Sequence, residues 1–247
     1  ASRANGETLA ALVVTENDKA LRSAVRRLLA SPDAPDGLHV NVHDRPGPFL
    51  FGPETRHVHG RARIREEVAG VSFLVSPTAF FQTNVAAADW LVATVHEAIG
   101  RAPVRVLDLY AGAGLFALPL AEAGHVVAAV EESRDAVEDG RASQRLNRIP
   151  DSRCRFVAAR VEAALGRLQR HGRDERPFEA VVLDPPRSGC GPAVAASIAT
   201  TLRPARVVYV SCEPEALARD LVAFLEAGYR ADRVLPVDMF PHTPHVE

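Results

Sequence analysis

The stretch VLDLYAGAGLF at residues 106–116 runs an apolar strand straight into two glycines and then into helix-forming residues. Gly112 and Gly114 leave backbone N–H groups open and let a ligand approach without interference from a Cβ. Asp108 stands near the end of the strand, and Glu131 closes the following strand about twenty residues on, where a carboxylate can accept hydrogen bonds from both hydroxyls of a ribose. This combination fits an adenosine-bearing cofactor. A dinucleotide fingerprint would supply a third glycine, whereas this loop continues through Phe116 to Ala117, so S-adenosylmethionine fits it better than NAD. The plain alternative is that the glycines serve only a tight strand-to-helix turn.

Outward from that loop, residues 76–247 alternate strands with helices. VRVLDLY, VVAAVEE, CRFVAA, FEAVVLDPP and ARVVYVSC read as buried strands, and LFALPLAEAG, RDAVEDGRASQRL, RVEAALGRLQRHG, PAVAASIATTL and PEALARDLVAFLEAG as the helices between and after them. Such alternation predicts an α/β, Rossmann-like domain, doubly wound around a mostly parallel sheet. Residues 1–75 read as a small α+β unit with a possible RNA-facing role. TLAALVV, GLHVNVH, RARIREEV and VSFLVSP are its strands, and NDKALRSAVRRLLA is a helix with Leu21, Val25, Leu28 and Leu29 on one face. Arg61, Arg63 and Arg65 alternate, which on a strand would project all three from one side, facing either phosphates or solvent. RHGRDERP at 170–177 reads as a polar surface loop.

Composition narrows the function classes. The chain has 247 residues, is 47% hydrophobic and carries a formal charge of -2, so it lacks the basic balance that holds nucleic acid by phosphate neutralisation alone. Lys19 is the only lysine, and arginine supplies the rest of the positive charge. Three cysteines without C-x-x-C spacing give neither a disulfide framework nor a four-thiolate metal site, which favours a reducing, cytoplasmic setting. Neither a signal peptide nor an apolar run long enough to span a bilayer is evident, so no membrane partner is expected.

Two further strand ends carry candidate chemistry. Asp184, Pro185 and Pro186 make a rigid turn followed by Arg187, at the edge where ligands of open α/β sheets bind. Cys212 ends the next strand, and Pro214 suits the first turn of the helix beyond it; a thiol at such a place is either a small buried hydrophobe or a nucleophile. Near the C-terminus, His242, His245 and Glu247 lie in a proline-broken segment, and no donor set completes a zinc site. In FFQTN at 80–84, Asn84 is a good N-cap for the next helix and Phe80 and Phe81 could staple it, which leaves Gln82 unexplained.

Four stretches in order, FFQTN at 80–84, LDLYAGAGLF at 107–116, DPPRSG at 184–189 with YVSC at 209–212, and DMFPHTPHVE at 238–247, resemble the RNA (uracil-5-)-methyltransferase family, which makes 5-methyluridine in tRNA and 23S rRNA. The resemblance implies S-adenosyl-L-methionine as methyl donor, S-adenosyl-L-homocysteine as product, and RNA as substrate. It casts Cys212 as the nucleophile that adds to uracil C6 and Glu247 as the base that removes the C5 proton. Phe80, Gln82 and Asp184 would hold the uridine, and Gln82, Asp108, Tyr110, Gly112, Gly114, Glu131 and Asp184 the cofactor. Three departures stand out. Glu213 replaces the usual Asn beside the nucleophile, where a nearby anion would disfavour the thiolate. Arg160 replaces an acidic or amide residue after the third strand. The family's cysteine cluster is missing, so no iron-sulfur cluster is expected. An N-terminal RNA-binding barrel and a last C-terminal strand are also not seen, which suits a fragment of a longer protein; a monomer is expected.

Other readings compete. Asp-Pro-Pro turns also serve amino-group methylation, but Arg187 stands where an aromatic residue is then wanted. A cytosine-C5 enzyme would place its cysteine after a proline, and Cys190 is not so placed. A catalytically silent RNA-binding or folding module that keeps the fold is the alternative from a different class.

Overall fold

In the computed structural model, residues 1–44, 50–171, 177–243 and 246–247 are described. Three strands and a helix form the first layer pair: β1 (Leu9–Val14), α1 (Lys19–Leu29), β2 (Gly37–Val42) and β3 (Glu54–Gly60). β1 and β2 pair in parallel across the α1 crossover, and β3 adds antiparallel to β2. Asp18 caps α1 by accepting from the Leu21 amide at 2.8 Å. The helix then buries Val25 against Leu38 and Val40 of β2, with Ala10, Leu12 and Val14 of β1 around them.

A hairpin follows, β4 (Ile64–Val68) and β5 (Val71–Val75), joined through Ala69 and Gly70, both at positive φ. It lies on the N-terminal side of residue 75, yet Val68, Val71 and Phe73 belong to the core of the C-terminal unit. The rest alternates: α2 (Val85–Ile99), β6 (Arg105–Leu109), α3 (Ala117–Glu122), β7 (Val126–Glu131), α4 (Arg134–Leu146), β8 (Cys154–Ala158), α5 (Val161–His171), β9 (Ala180–Leu183), α6 (Pro192–Ala196, continuing as a π-helical turn through Ser197–Leu202), β10 (Arg206–Tyr209) and α7 (Pro214–Glu226).

β6 to β10 form one parallel sheet in the order β10-β9-β6-β7-β8. Its central strands β6 and β9 are buried on both faces, which explains their near-continuous apolar runs. Val106 points into a core shared with α2, α3 and α4, while Leu107 and Leu109 point into a second core shared with α5, α6 and α7. This is the doubly wound arrangement that the alternation predicts. Among the described residues no helix is long and apolar enough to cross a membrane.

A polar stripe on α4 closes the edge of β5. Asp139 accepts from the Ser76 amide at 2.7 Å, Ser143 from the Leu74 amide at 2.8 Å, and Asn147 both accepts from the Ser72 amide at 3.0 Å and donates to its carbonyl at 2.6 Å. Helix positions four apart are spaced about 6 Å along the axis, close to a two-residue step on a strand, so three side chains match three strand residues. The unpaired edge is thereby satisfied by side chains instead of another strand.

The expected arginine row is not formed. Strand geometry begins only at Ile64, and each of the three arginines is drawn to its own partner: Arg61 to Glu7 at 2.9 Å, Arg63 to the buried Asp139, and Arg65 to the Ser72 hydroxyl at 2.7 Å. Phe80 staples nothing either: it is 70% exposed, and Phe81 alone packs inward, on Phe73 at 5.3 Å between ring centroids.

Candidate active site

The chain order of the sheet reverses between β6 and β9, and the crevice at their carboxyl ends is where open α/β sheets bind ligands. Backbone bonds hold four strand ends side by side there: the Ala111 amide donates to Val130, Asp184 to Leu109, and Val210 to Leu183. Tyr110, Glu131, Asp184 and Cys212 therefore lie along one edge.

The turn after β6 places Tyr110, Gly112 and Gly114 at φ of 62°, 54° and 91°. The two glycines are small for different reasons. A Cβ on Gly112 would meet nothing within 4 Å, whereas one on Gly114 would fall 2.7 Å from Phe156 and 3.1 Å from Leu118. Gly112 thus faces open space, and Gly114 permits close packing of the turn on α3 and β8. The Gly114 amide is spent on Ala111 at 2.8 Å, while the Gly112 amide donates to Glu131 at 2.9 Å. The second Glu131 oxygen accepts from Ser133 at 2.7 Å, so the carboxylate is held in place at the rim.

Beneath the turn, Asp108 is fully buried, and neither carboxylate oxygen makes a hydrogen bond with the described residues. Burial drives its pKa well above the ordinary carboxylate value, the charge of Asp184 adds to that, and the nearby Ala117 amide opposes it. The Tyr110 hydroxyl is likewise pushed up, first by burial and then by the charges of Cys190, Glu162 and Asp220. An orphaned buried acid, two further carboxylates and open space over Gly112 fit a ligand that carries a ribose and positive charge. S-adenosylmethionine has both.

Cys212 is half-buried just before α7. Burial raises its pKa, the Glu247 and Asp184 carboxylates raise it further, and the Arg187 guanidinium pulls it down. Asp184 is itself pushed up to about 7 by burial and then by Glu247. Four side chains from three separate stretches, Asp184 and Arg187, Cys212, and Glu247, therefore share one electrostatic neighbourhood. The anions that raise the thiol pKa most are Glu247 and Asp184. Glu213 stands at the N-cap of α7 without a side-chain cap bond, and its amide is taken by the Ser211 hydroxyl at 3.2 Å.

Glu247 reaches the site through a closed loop. Its amide donates to Val237 at 3.0 Å and its carbonyl accepts from Val237 at 2.7 Å, with Met239 buried beneath. Asn84 caps α2 by accepting from Ala87 at 3.2 Å and also donates to the Met239 carbonyl at 3.3 Å, so one residue fixes both the helix start and this loop. Only the capping half of that is legible from a local pattern. One Glu247 oxygen is buried without a partner among the described residues, and burial raises the group's pKa. In the stretch before α2, Gln82 is buried and Phe80 is exposed. His242 is exposed, and His245 lies outside the described residues. Arg160 pairs with Glu162 at 3.5 Å on the surface.

Sequence reasoning placed Arg187 in the turn after β9 but missed its effect on the thiol, where the guanidinium opposes the Glu247 and Asp184 carboxylates, and it missed Asp220 altogether. Asp220 of α7, buried, accepts from the Tyr209 hydroxyl at 2.6 Å, the Cys190 amide at 2.7 Å and the Gly191 amide at 3.3 Å. It thereby anchors the loop that carries Arg187, and a single acid in an amphipathic helix gives no local signal of such a role.

Comparison with known proteins gives the family and the fold. The family profile described as tRNA (uracil-5-)-methyltransferase matches residues 34–247. An uncharacterised RNA methyltransferase of Gloeobacter violaceus is 41% identical over 212 residues, covering 85% of this chain and 44% of that protein. One from Geobacter sulfurreducens is 37% identical over 248 residues, covering all of this chain and 49% of that protein. The chain thus spans about half the length of the curated relatives it matches. The crystal structure of Pyrococcus abyssi tRNA (uracil-54, C5)-methyltransferase in complex with S-adenosyl-L-homocysteine superposes with a TM-score of 0.77 at 29% identity, over 99% of this chain and 56% of that one. With a profile match over most of its length and relatives at this identity, the chain belongs to the tRNA (uracil-5-)-methyltransferase family and has the fold of S-adenosylmethionine-dependent methyltransferases.

Proposed function

We propose that the chain methylates C5 of a uridine in RNA through a covalent adduct at Cys212. The observation that carries this reading is that Glu247, Asp184 and Arg187 all act on the Cys212 thiol, at the same sheet edge as the Gly112 turn and Glu131. Uracil C5 is too weak a nucleophile to take a methyl group unaided. Addition of the Cys212 thiolate to C6 forms a C6–S bond and moves the electron pair to the C5–C4–O4 enolate. Asp108, Gly112 and Glu131 would hold S-adenosylmethionine, whose sulfonium methyl group C5 would take as the S–CH3 bond breaks and S-adenosyl-L-homocysteine leaves. Glu247 then takes the C5 proton, the C5–C6 double bond re-forms, and the thiolate leaves. Its burial without a partner suits that role, because a carboxylate with a raised pKa is a stronger base.

Phe80, exposed at the rim, would stack on the base, and the buried Gln82 would hydrogen-bond to it. Asp184, held near neutrality, would donate to or accept from the uracil edge. A uridine in a tRNA loop is the first substrate to test, given the likeness to an enzyme that acts on tRNA uracil-54, and a 23S rRNA segment is the second. A catalytically silent module would have no use for a thiol, a partnerless acid and a cation gathered at one sheet edge.

The direct test uses tRNA transcript labelled with [5-³H]uridine. One tritium released per methyl group incorporated is expected, with both lost in Cys212→Ala. Methyl incorporation without tritium release would place the reaction at another atom and refute the reading.

A further inference from the structure

α1 covers β1 and β2 but stops short of β3, the outer strand of its sheet. The uncovered corner is a groove of about 650 Å³. That volume falls in the range of sites that hold one small ligand or side group. Its floor is apolar, with Val25 and Val40 buried and Val58 of β3 exposed at 39%. Lys19, Arg22 and Arg26 line one wall at spacings of three and four on α1, and Arg56 of β3 stands on the other. All four are exposed, and no acidic side chain lines the groove. Asp18 is turned to cap the helix, and the Arg56–Glu54 contact at 3.2 Å joins two side chains that are each more than 60% exposed, which holds Arg56 only weakly. Arg22 spends its Nε on the Asp18 carbonyl at 3.3 Å, which leaves its terminal nitrogens for a ligand, whereas Arg61, Arg63 and Arg65 are turned to acceptors outside the groove.

We propose that this groove binds a single-stranded segment of RNA, with phosphates on Lys19, Arg22, Arg26 and Arg56 and one unstacked nucleoside against Val58 and the floor beneath it. The inference rests on the reading of RNA as the substrate, and it adds a contact surface outside the catalytic crevice. A chain with formal charge -2 gains little from its overall field, so its hold on RNA has to come from a local patch. Proteins grip single strands with little regard to sequence by combining a positively charged groove with ring faces for the bases; here the four cations supply the first, and the apolar floor and the His57 ring supply the surface for a base.

The test is fluorescence anisotropy of a fluorescein-labelled dodecauridylate titrated with the chain at several KCl concentrations. In R22A/R26A/R56A, binding at 50 mM KCl should weaken roughly tenfold or more, and the slope of log K against log salt should flatten by about 2, at about 0.7 for each lost single-strand contact. Val58→Glu, a change at an exposed site, should weaken binding as well. Unchanged thermal melting would show that both variants fold. A matched triple at Arg148, Arg155 and Arg230, none of which lines the groove, should leave the slope close to that of the parent chain. Equal losses in the two triples would overturn the proposal, as would tighter binding of a polyglutamate peptide than of the oligonucleotide. Methyl transfer to tRNA separates this from the catalytic reading. Groove-dependent binding without any methylation keeps the groove and removes the function. Methylation whose KM for RNA is the same in R22A/R26A/R56A as in the parent chain does the reverse; the expected result is a raised KM with kcat unchanged.

Discussion

Glu247 is tied by two backbone bonds to Val237, with one carboxylate oxygen buried and without a partner among the described residues. If it removes the C5 proton, Glu247→Gln should leave thiol addition and methyl transfer possible and block release. Turnover is then expected to fall by about 10² to 10⁴, and a protein–RNA adduct should accumulate on ordinary uridine, visible by denaturing gel. A variant that loses turnover without any adduct would place Glu247 in a different step. The Arg187 guanidinium lowers the pKa of Cys212, which burial and the Glu247 and Asp184 carboxylates raise. The thiolate fraction, and with it kcat/KM, should increase as pH rises through the neutral range. Removing the guanidinium in Arg187→Ala lifts the thiol pKa further, so the deficit should be largest near pH 7 and narrow toward pH 9.5. The strand-end positions of Asp184 and Cys212 were legible because proline and helix-start signals follow them directly. The second bond of Asn84 was not, since its partner is 155 residues away.

The turn after β6 separates two glycines that look alike in a motif. Gly114→Ala would drive a Cβ into Phe156 at φ 91° and should cost roughly 2–4 kcal/mol in chemical denaturation. Gly112→Ala meets open space at φ 54° and should cost only about 1 kcal/mol while weakening cofactor binding by calorimetry, because the methyl group would occupy the space that the ligand needs. Equal losses of stability in the two variants would contradict this division of roles. Elements with a clear apolar period were readable: the five strands of the parallel sheet and the α1 face are examples. β3 was not, because ETRHVHG has no alternation and its side chains are almost all exposed. The arginine alternation at 61–65 misled for the opposite reason, as three separate acceptors pull those side chains apart.

Across the whole molecule, the α4 stripe and Arg63 join the hairpin to the catalytic layer. Asp139 is fully buried and binds both Arg63 and the Ser76 amide. Asp139→Ala would strand a guanidinium and an amide, and urea unfolding should show a loss of about 3–5 kcal/mol; a loss below 1 kcal/mol would show that the hairpin is held by its apolar contacts alone. That link was invisible in the sequence because a polar stripe on a helix ordinarily marks a solvated face. The parallel sheet, by contrast, was legible from alternation alone, since burial on both faces demands apolar strands. The claim on which the account turns is that Cys212 bonds to uracil C6, and one incubation tests it: the chain with S-adenosylmethionine and a 5-fluorouridine-containing tRNA, followed by mass spectrometry of the denatured protein. Fluorine at C5 cannot leave as a proton does, so a methylated RNA adduct mapped to Cys212 and missing in Cys212→Ser is expected. An intact thiol, from a chain that methylates ordinary uridine-containing tRNA, would contradict the account.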